Sequence, residues 1–360
     1  MKTTPASPPL PQRLSLVTQT VRHLSEGISA GCWQDQLPGE RELCARLHVS
    51  RPTLRAALHE LERTGWLDVK HRQRRRICPK RGPRSTQPES KVVAVLTPAP
   101  LRLMPPSAVL IIDALREELT GSGWTLELHV NRSCYSARPE RALEKLVLHT
   151  PAAAWLLSGS GRPMQTWFLQ HAVPCMVLGT CPDDLPLPFA DADHRATCRH
   201  AGALFLRKGH RRLALVLPES GTGGDRESER GMRESLKNRP EASLLVLRHR
   251  DKAELCKLLD QALRSPARPT AFLVARAVHA LTVCMHLMRR GLRLPQDAAL
   301  LSRDDENFLA HTSPAIGRYG VNADTFARKV SHATRQLAED GALASTALLL
   351  MPKLFPEETV

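Results

Sequence analysis

Residues 37–76 constrain the fold of this chain more than any other stretch, because they combine a leucine pattern, a turn and a basic run. Five leucines recur at intervals of three and four residues, as on the inner faces of two short helices: Leu43, Leu47, Leu54, Leu58 and Leu61. Ser50 can cap the second helix, and Pro52 falls in its first turn, where a missing N–H is harmless. The pattern predicts a helix-turn-helix whose second helix runs over 51–64 and stops at Gly65.

The N-terminal end of that second helix carries polar side chains outside the apolar stripe. They are Arg51, Thr53 and Arg55. Arginine can form two hydrogen bonds to guanine in the major groove, and arginine and threonine both bind phosphate. A wing is predicted after this helix. It consists of a short strand over 66–69, the basic segment 70–76 and a return strand near Ile77. The stretch therefore predicts a winged helix-turn-helix that binds DNA.

Three segments, LPGERELCARL, VSRPTLRAAL and LERTGWL, resemble the GntR family of bacterial transcription regulators, over residues 12–78. A leading helix over 12–30 fits the same domain, since its apolar residues follow the helical period. The resemblance implies that five residues meet DNA: Arg41, Arg51, Thr53, Arg55 and His71. We add three candidates from the sequence itself, namely the capping residue Ser50 and the wing residues Arg72 and Arg74. We expect a double-stranded, palindromic operator, because such regulators act as homodimers.

Two positions depart from the family pattern. The turn has His48 where glycine is usual, so His48 must adopt a positive φ or the turn must be reshaped. The wing has Arg72 and Arg74 in place of glycines. We therefore expect these arginines to enter the minor groove or to bind phosphate, in place of a close backbone approach.

The charge of the chain favours a nucleic-acid partner. The formal net charge is +15, and residues 1–90 hold 16 Lys and Arg against 8 Asp and Glu. The nine cysteines show no C-x-x-C spacing, which is typical of free thiols in a reducing compartment. We find neither a signal-peptide pattern nor an apolar run of membrane-spanning length, so a cytoplasmic protein without membrane contact is expected.

After a proline-containing linker over 79–90, strand and helix patterns alternate, which predicts an α/β domain over 91–355 with parallel sheets in two lobes around a cleft. Helices are predicted over 107–120, 139–149, 163–171, 193–208, 226–238, 252–264 and 277–290. Strands are predicted over 91–97, 125–130, 153–158, 174–179, 212–217, 244–248, 272–275 and 298–301.

The second domain resembles the effector-binding domain of the LacI/GalR family, which is itself similar to periplasmic binding proteins of type I. The order of the matching pieces carries the resemblance: Leu206 to Ala214, Arg230-Gly231-Met232, Arg290 to Ala298, Arg303-Asp304-Asp305 and Ser313 to Ile316. It implies a homodimeric regulator gated by a small molecule. The family's cleft usually has Arg at the position of Ser228 and an Asn-Asp pair where this chain has Arg276-Ala277.

Six residues are candidates for effector binding: Arg226, Ser228, Arg230, Arg276, Asp304 and Asp305. The resemblance implies a sugar or a sugar derivative as the effector. Because Arg276 brings a fixed cation with planar donors, an anionic effector such as a sugar phosphate or a sugar acid is expected. A degenerate sensor without any ligand remains an alternative. For Asp304 a structural salt bridge is as good an interpretation as a ligand contact.

The sequence thus predicts a DNA-binding transcriptional regulator, with repression as the expected sign, whose operator affinity responds to a small molecule. The main alternative is a constitutive DNA-binding dimer whose second domain only dimerises. An enzyme of the α/β class is a remote alternative, because the sequence has no phosphate-binding loop, nucleophile motif or zinc motif. No catalytic residue, metal or cofactor is expected.

Overall fold

The computed structural model describes residues 16–29, 32–33, 36–63, 67–68, 76–77, 90–219, 221–341, 343 and 346–360. The chain divides into two compact units, residues 1–87 and 88–360. The N-terminal unit contains α1 (Leu16–Ser29), α2 (Glu40–Leu47), α3 (Arg51–Arg63), β1 (Leu67–Asp68) and β2 (Arg76–Ile77). The short strands β1 and β2 pair antiparallel, as expected at the base of a wing.

The core of the N-terminal unit is built from leucines of all three helices. Four of the five leucines of the helix-turn-helix pattern are fully buried, namely Leu43, Leu54, Leu58 and Leu61. The fifth, Leu47, is partly buried and packs against this core. Leu24 of α1 and Leu67 of β1 complete this core. The prediction of two short helices with their leucines inside is therefore confirmed.

The turn between α2 and α3 depends on His48. This residue lies in the left-handed region, with φ 51° and ψ 39°, and its backbone N–H donates to the carbonyl of Cys44. Of the two alternatives left open by the sequence, a positive φ at His48 or a reshaped turn, the structure has the positive φ. A residue with a Cβ is strained there, so the turn keeps its shape at the expense of local stability.

The C-terminal unit alternates strands and helices almost throughout. Its helices are α4 (Pro106–Gly121), α5 (Glu140–His149), α6 (Arg162–Gln170), α7 (His194–Arg207), α8 (Gly223–Leu236), α9 (Lys252–Arg264), α10 (Ala277–Arg289) and α11 (Ala323–Asp340). Its strands are β3 (Val92–Thr97), β4 (Thr125–Val130), β5 (Ala154–Ser158), β6 (Cys175–Leu178), β7 (Phe189–Ala192), β8 (Arg212–Pro218), β9 (Ser243–His249), β10 (Ala271–Val274), β11 (Ala299–Ser302), β12 (Gly317–Gly320), β13 (Ala347–Leu350) and β14 (Lys353–Phe355).

These strands form two six-stranded sheets, each the centre of one lobe. Lobe 1 has the order β13-β7-β6-β5-β3-β4 and is parallel throughout. Lobe 2 has the order β14-β12-β11-β10-β8-β9, and only its edge strand β14 runs antiparallel. The chain passes between the lobes after β7, after β12 and after β13. The predicted two-lobed α/β domain with parallel sheets is confirmed.

Several elements beyond this alternation were not predicted, namely β7, β12, α11, β13 and β14. The strands among them are three or four residues long. The long helix α11 buries small and hydroxyl-bearing residues such as Ala327, Ser331 and Thr334 beside Phe326 and Val330. These buried positions recur at three and four residues, so the helical period of α11 is present in the sequence although α11 was not among the predicted helices.

Helices α7 and α8 of lobe 2 pack closely because glycines face the partner helix. A Cβ on Gly231 of α8 would lie 2.1 Å from the carbonyl oxygen of Arg195, and one on Gly202 of α7 would lie 2.0 Å from Oγ of Ser235. The obstacle at Gly231 is backbone, which cannot rotate aside as a side chain can. Gly231 therefore sets the distance between the two helices.

Replacing Gly231 by alanine is expected to lower the free energy of unfolding of the C-terminal unit by about 1–3 kcal/mol, because the added methyl group overpacks the α7/α8 contact. Urea unfolding monitored by circular dichroism measures the change. Gly121→Ala is the matched control, since a Cβ there meets no atom within 4 Å. Equal stability of the two variants would contradict the close approach.

Three general properties concern the described residues only. No helix among them has both the length and the apolarity to cross a membrane. The eight cysteines within the described ranges are free thiols. No cluster of three or more His, Cys, Asp or Glu side chains there has the arrangement of a metal site.

Candidate functional site

The N-terminus of α3 is arranged as the sequence predicts for a DNA-reading helix. Oγ of Ser50 accepts a hydrogen bond from the backbone N–H of Thr53, 3.3 Å away, and lies 2.8 Å from the Thr53 hydroxyl. Ser50 thus caps α3, which aligns the first turn of the helix. Arg51 is exposed in that turn, and its guanidinium has no hydrogen bond or ion pair within the described residues. It is therefore free to meet a base or a phosphate.

The other side chains predicted to contact DNA differ in whether they are already bonded to another residue of the protein. Arg41 is exposed in the first turn of α2. Nε of Arg55 donates to a carboxylate oxygen of Glu40 at 3.0 Å, so DNA would have to compete with that exposed pair. The wing residues His71, Arg72 and Arg74 lie outside the described residues. Among the predicted contacts, the α3 N-terminus with Arg51 is the most direct candidate.

The C-terminal unit has a cleft of about 1430 Å³ between its two lobes. Lobe 1 contributes the N-terminal ends of α4 and α6 and the segment after β6, whereas lobe 2 contributes the first turns of α8 and α10 and the segment after β11. Such an opening at the carboxyl ends of parallel strands is the usual place for a ligand in α/β proteins.

Four charged side chains of lobe 2 form one cluster at the base of this cleft, which we call the Arg–Asp cluster. Its members are Asp225, Arg276, Arg303 and Asp304. The Arg276 guanidinium donates to both carboxylate oxygens of Asp225, at 3.1 and 3.0 Å. Arg303 donates to Asp225 at 2.9 Å and to Asp304 at 2.8 Å. Every guanidinium of the cluster thus already faces a carboxylate.

The centre of the cluster is deeply buried. Asp225 is 1% exposed and Arg303 is 4% exposed. Burial by itself lowers the pKa of Arg303, but the carboxylates of Asp304 and Asp225 outweigh it and raise this pKa above its usual value. Arg303 therefore remains protonated, and Asp225 is the buried counter-charge that both arginines share.

The six predicted effector residues occupy different places. Five of them line the cleft: Arg226, Arg230, Arg276, Asp304 and Asp305. Ser228 is fully buried beneath it, where its hydroxyl donates to the Gly224 carbonyl and accepts from Arg303. Because its hydroxyl serves the Arg–Asp cluster, Ser228 has no route to a ligand in this structure.

Arg276 is not a free cation, because its guanidinium is bonded to a carboxylate. It is the N-cap residue of α10, and its side chain turns to Asp225 across the base of the cleft. Asp305 is engaged as well, because it accepts a hydrogen bond of 2.7 Å from Nε of Arg318. The salt-bridging interpretation considered for Asp304 matches its contact with Arg303.

The lobes are joined across the cleft by a contact that we call the Ser107–Glu306 bridge. Glu306 follows β11 in lobe 2, and its carboxylate accepts from the backbone N–H of Ser107 at 3.3 Å and from the Ser107 hydroxyl at 2.7 Å. Ser107 lies in the first turn of α4 in lobe 1, where the positive end of the helix dipole favours an anion. Glu306 therefore acts as an internal anion for α4.

The wall of lobe 1 offers hydrogen-bond acceptors. Gln165 of α6 is 3% exposed, and its amide nitrogen donates to the backbone and hydroxyl oxygens of Ser160. Its Oε1 has no hydrogen-bond partner within the described residues. Asp191 accepts from the Thr180 hydroxyl at 2.6 Å and lies 3.3 Å from Nε2 of His194. Burial raises the pKa of Asp191, but His194 and Thr180 outweigh this and leave it below its usual value.

The sequence had only weak signals for these additional residues. Asp225 and Glu306 directly neighbour candidates that were recognised, Arg226 and Asp305, but charged residues are common at helix starts and in loops. Ser107 and Glu306 are 199 residues apart along the chain, so no local pattern joins them. Only the fold brings these two side chains together.

Each of the two units contains a segment that matches a known protein family. Residues 16–77 match the model of the gntR family of bacterial regulatory proteins, and residues 203–360 match that of the periplasmic binding protein-like domain. The arabinose metabolism transcriptional repressor of Geobacillus stearothermophilus is 24% identical over 302 residues, which cover 77% of this chain and 78% of that protein. The chain thus contains a gntR-family DNA-binding domain followed by a periplasmic binding protein-like domain.

Solved structures share the fold. A regulatory protein of the LacI family from Chloroflexus aggregans aligns with a TM-score of 0.66 at 18% identity, covering 75% of this chain and 98% of that one. The transcriptional regulator CelR in complex with cellobiose aligns with a TM-score of 0.66 at 17% identity, covering 97% of this chain and 100% of that one. These likenesses establish the two-lobed architecture of LacI-family regulators.

Proposed function

We propose that this chain, a gntR-family DNA-binding domain joined to a periplasmic binding protein-like domain, is a transcriptional regulator whose affinity for its operator is set by a small molecule in the interlobe cleft. The capped α3 with exposed Arg51 carries the DNA-binding part of this proposal, because a helix N-terminus so placed can read base edges in the major groove. One matched domain is that of the gntR family of bacterial regulatory proteins, and the Geobacillus relative is a transcriptional repressor, so the function proposed here is not enzymatic.

The effector proposed for the cleft is a small polyhydroxylated molecule. A volume of about 1430 Å³ accommodates a sugar-sized ligand, and the lining mixes polar groups with apolar side chains such as Leu110, Ile111 and Val278. The Geobacillus relative is named for arabinose metabolism, and the CelR structure contains cellobiose. These names support a sugar or a sugar derivative as the effector class for this chain.

We further propose that the regulator is a homodimer that binds a palindromic operator in the cytoplasm and represses transcription. Helix α10 supports self-association, because Met285 and Met288 are exposed on it and lie outside the lining of the cleft. Exposed apolar patches of this kind often mark protein interfaces. Repression follows the sign of the Geobacillus relative.

A constitutive DNA-binding dimer is the second candidate. The Ser107–Glu306 bridge joins the lobes, and the side chains of the Arg–Asp cluster are paired with one another. A domain stabilised in this way could serve dimerisation alone.

Operator binding with and without sugars separates the two candidates. The operator is first selected from random duplex DNA with the full-length chain, and its dissociation constant is then measured by fluorescence anisotropy in the presence of sugars. Gating predicts that at least one sugar changes this constant by about 5- to 150-fold. An unchanged constant with every sugar would favour the constitutive dimer, whereas failure to select any sequence would refute both candidates.

A further inference from the structure

We propose that Glu306 is a specificity-determining residue of the cleft, which admits neutral or amine-bearing effectors and rejects anionic ones. This inference rests on the proposed function, because it concerns the charge of the effector in the same cleft. It departs from the expectation that Arg276 would recruit a sugar phosphate or a sugar acid. Three observations support it, at α4, at the arginines of the cleft and at Gln165.

The first observation is that the anion-binding end of α4 is already occupied. The Glu306 carboxylate accepts both hydrogen bonds that the Ser107 backbone and hydroxyl can donate. Glu306 is 8% exposed, and within the described residues no salt bridge joins it to a cation. A phosphate or carboxylate entering this part of the cleft would face the negative charge of Glu306 at a helix end whose donors are already used, in a place where water screens poorly.

The second observation is that four of the five arginines lining the cleft are already bonded to carboxylates. The lining contains five arginines and eight carboxylates. Arg276 and Arg303 are bonded to Asp225, Arg162 is bonded to Asp184 by two hydrogen bonds, and Arg230 is bonded to Glu227. Arg226, the fifth, donates to the Gly221 carbonyl and has no carboxylate pair within the described residues. An anionic effector that engaged Arg276 or Arg303 would have to break their bonds to Asp225, which is costly because Asp225 and Arg303 are buried. The pairs of Arg162 and Arg230 are more exposed and oppose an anion less.

The third observation is that the cleft provides acceptors for a donor-rich ligand. Oε1 of Gln165 lacks a partner within the described residues although the residue is 3% exposed. A buried amide oxygen gains stability when a ligand donates a hydrogen bond to it. Hydroxyl and ammonium groups can make that bond, whereas an ionised phosphate or carboxylate has no proton to donate.

Matched sugar sets test this proposal on the full-length chain. Each set contains a neutral pentose or hexose, its amino derivative and its phosphate ester, and dissociation constants are measured by titration calorimetry and by the rise in Tm. We expect the amino derivative to bind at least as tightly as the parent sugar. The phosphate ester is expected to bind at least about tenfold more weakly than the parent.

Glu306→Gln isolates the role of the charge, because the amide oxygen can still accept from Ser107. The dissociation constant of the phosphate ester divided by that of the parent sugar is expected to fall toward one. Glu306→Ala is the second variant, and the same fall in the ratio is expected even if loss of the bridge weakens all ligands. In the control Asp183→Asn, whose side chain is 85% exposed at the cleft rim, the ratio should change less than about twofold.

Three results would overturn the proposal, and they are distinguishable. Tight binding of a phosphate ester to the unmodified chain would refute the charge preference and leave the gated regulator standing. An unchanged ratio in both Glu306 variants would refute the role of Glu306. Absence of binding by every member of every set, with normal operator binding, would refute the effector role of the cleft itself.

Discussion

An Arg51→Ala variant is expected to bind the operator about 10 to 100 times more weakly than the unmodified chain, because one arginine that forms two hydrogen bonds to a base contributes about 1–3 kcal/mol of discrimination. Its binding to unrelated duplex DNA should change far less, since that binding depends on many phosphate contacts. Competition gel shifts with operator and unrelated DNA at fixed salt measure both affinities. The oligomeric state, checked by sedimentation, should be unchanged.

Arg46→Ala is the matched control for this variant. Arg46 is an exposed arginine of α2 that pairs with Glu42 one helical turn away, and it lies outside the α3 N-terminus. Both substitutions remove one positive charge from the same domain, so the control reports the purely electrostatic loss. If Arg51→Ala and Arg46→Ala weaken operator binding equally, Arg51 reads no base and the assignment of α3 as the recognition helix is wrong.

Removal of the carboxylate at the centre of the Arg–Asp cluster is expected to have the largest effect on stability. Asp225→Ala leaves Arg303, which is 4% exposed, without one of its two carboxylate partners and Arg276 without its two-bond partner. Breaking one side of a buried ion pair costs about 3–5 kcal/mol, because the remaining charge stays buried. Urea unfolding of the full-length chain, followed by tryptophan fluorescence, should show this loss in the transition of the C-terminal unit.

Asp184→Ala is the corresponding control on the surface. Asp184 accepts two hydrogen bonds from Arg162, but both side chains are more than half exposed. Because water screens an exposed pair, the free energy of unfolding of this variant should remain close to that of the unmodified chain. A loss of stability for Asp225→Ala that is no larger than the loss for Asp184→Ala would show that the cluster is not a buried determinant of stability.

Local patterns were sufficient to predict most of the elements. The leucines of α2 and α3, Ser50 at the cap and the glycine position filled by His48 all concern residues within a few positions of one another. Their interactions are decided by backbone geometry, so the periods and the turn chemistry predict them directly. The same holds for β4 and α9, whose predicted bounds agree with the structure.

The interpretation of the cleft was less complete, and Arg276 illustrates why. As a residue following a buried strand, it was a reasonable candidate for a cation that meets an anionic effector. The structure brings Asp225, 51 residues away, into contact with both of its terminal nitrogens. The identity of an arginine indicates which bonds it can donate, but only the fold determines which acceptor takes them.

The sequence by itself therefore determined the helix-turn-helix, the alternation of strands and helices and the two-domain organisation, because these follow from periodicity, caps and turn residues close together in the chain. Only the tertiary structure decided that Glu306 caps α4 of the opposite lobe, that Ser228 lies beneath the cleft and that the Arg–Asp cluster neutralises itself. These contacts join residues 51 to 199 positions apart. Electrostatic and hydrogen-bonding partners at such separations are selected by the packing of the two sheets, and no local pattern encodes that choice.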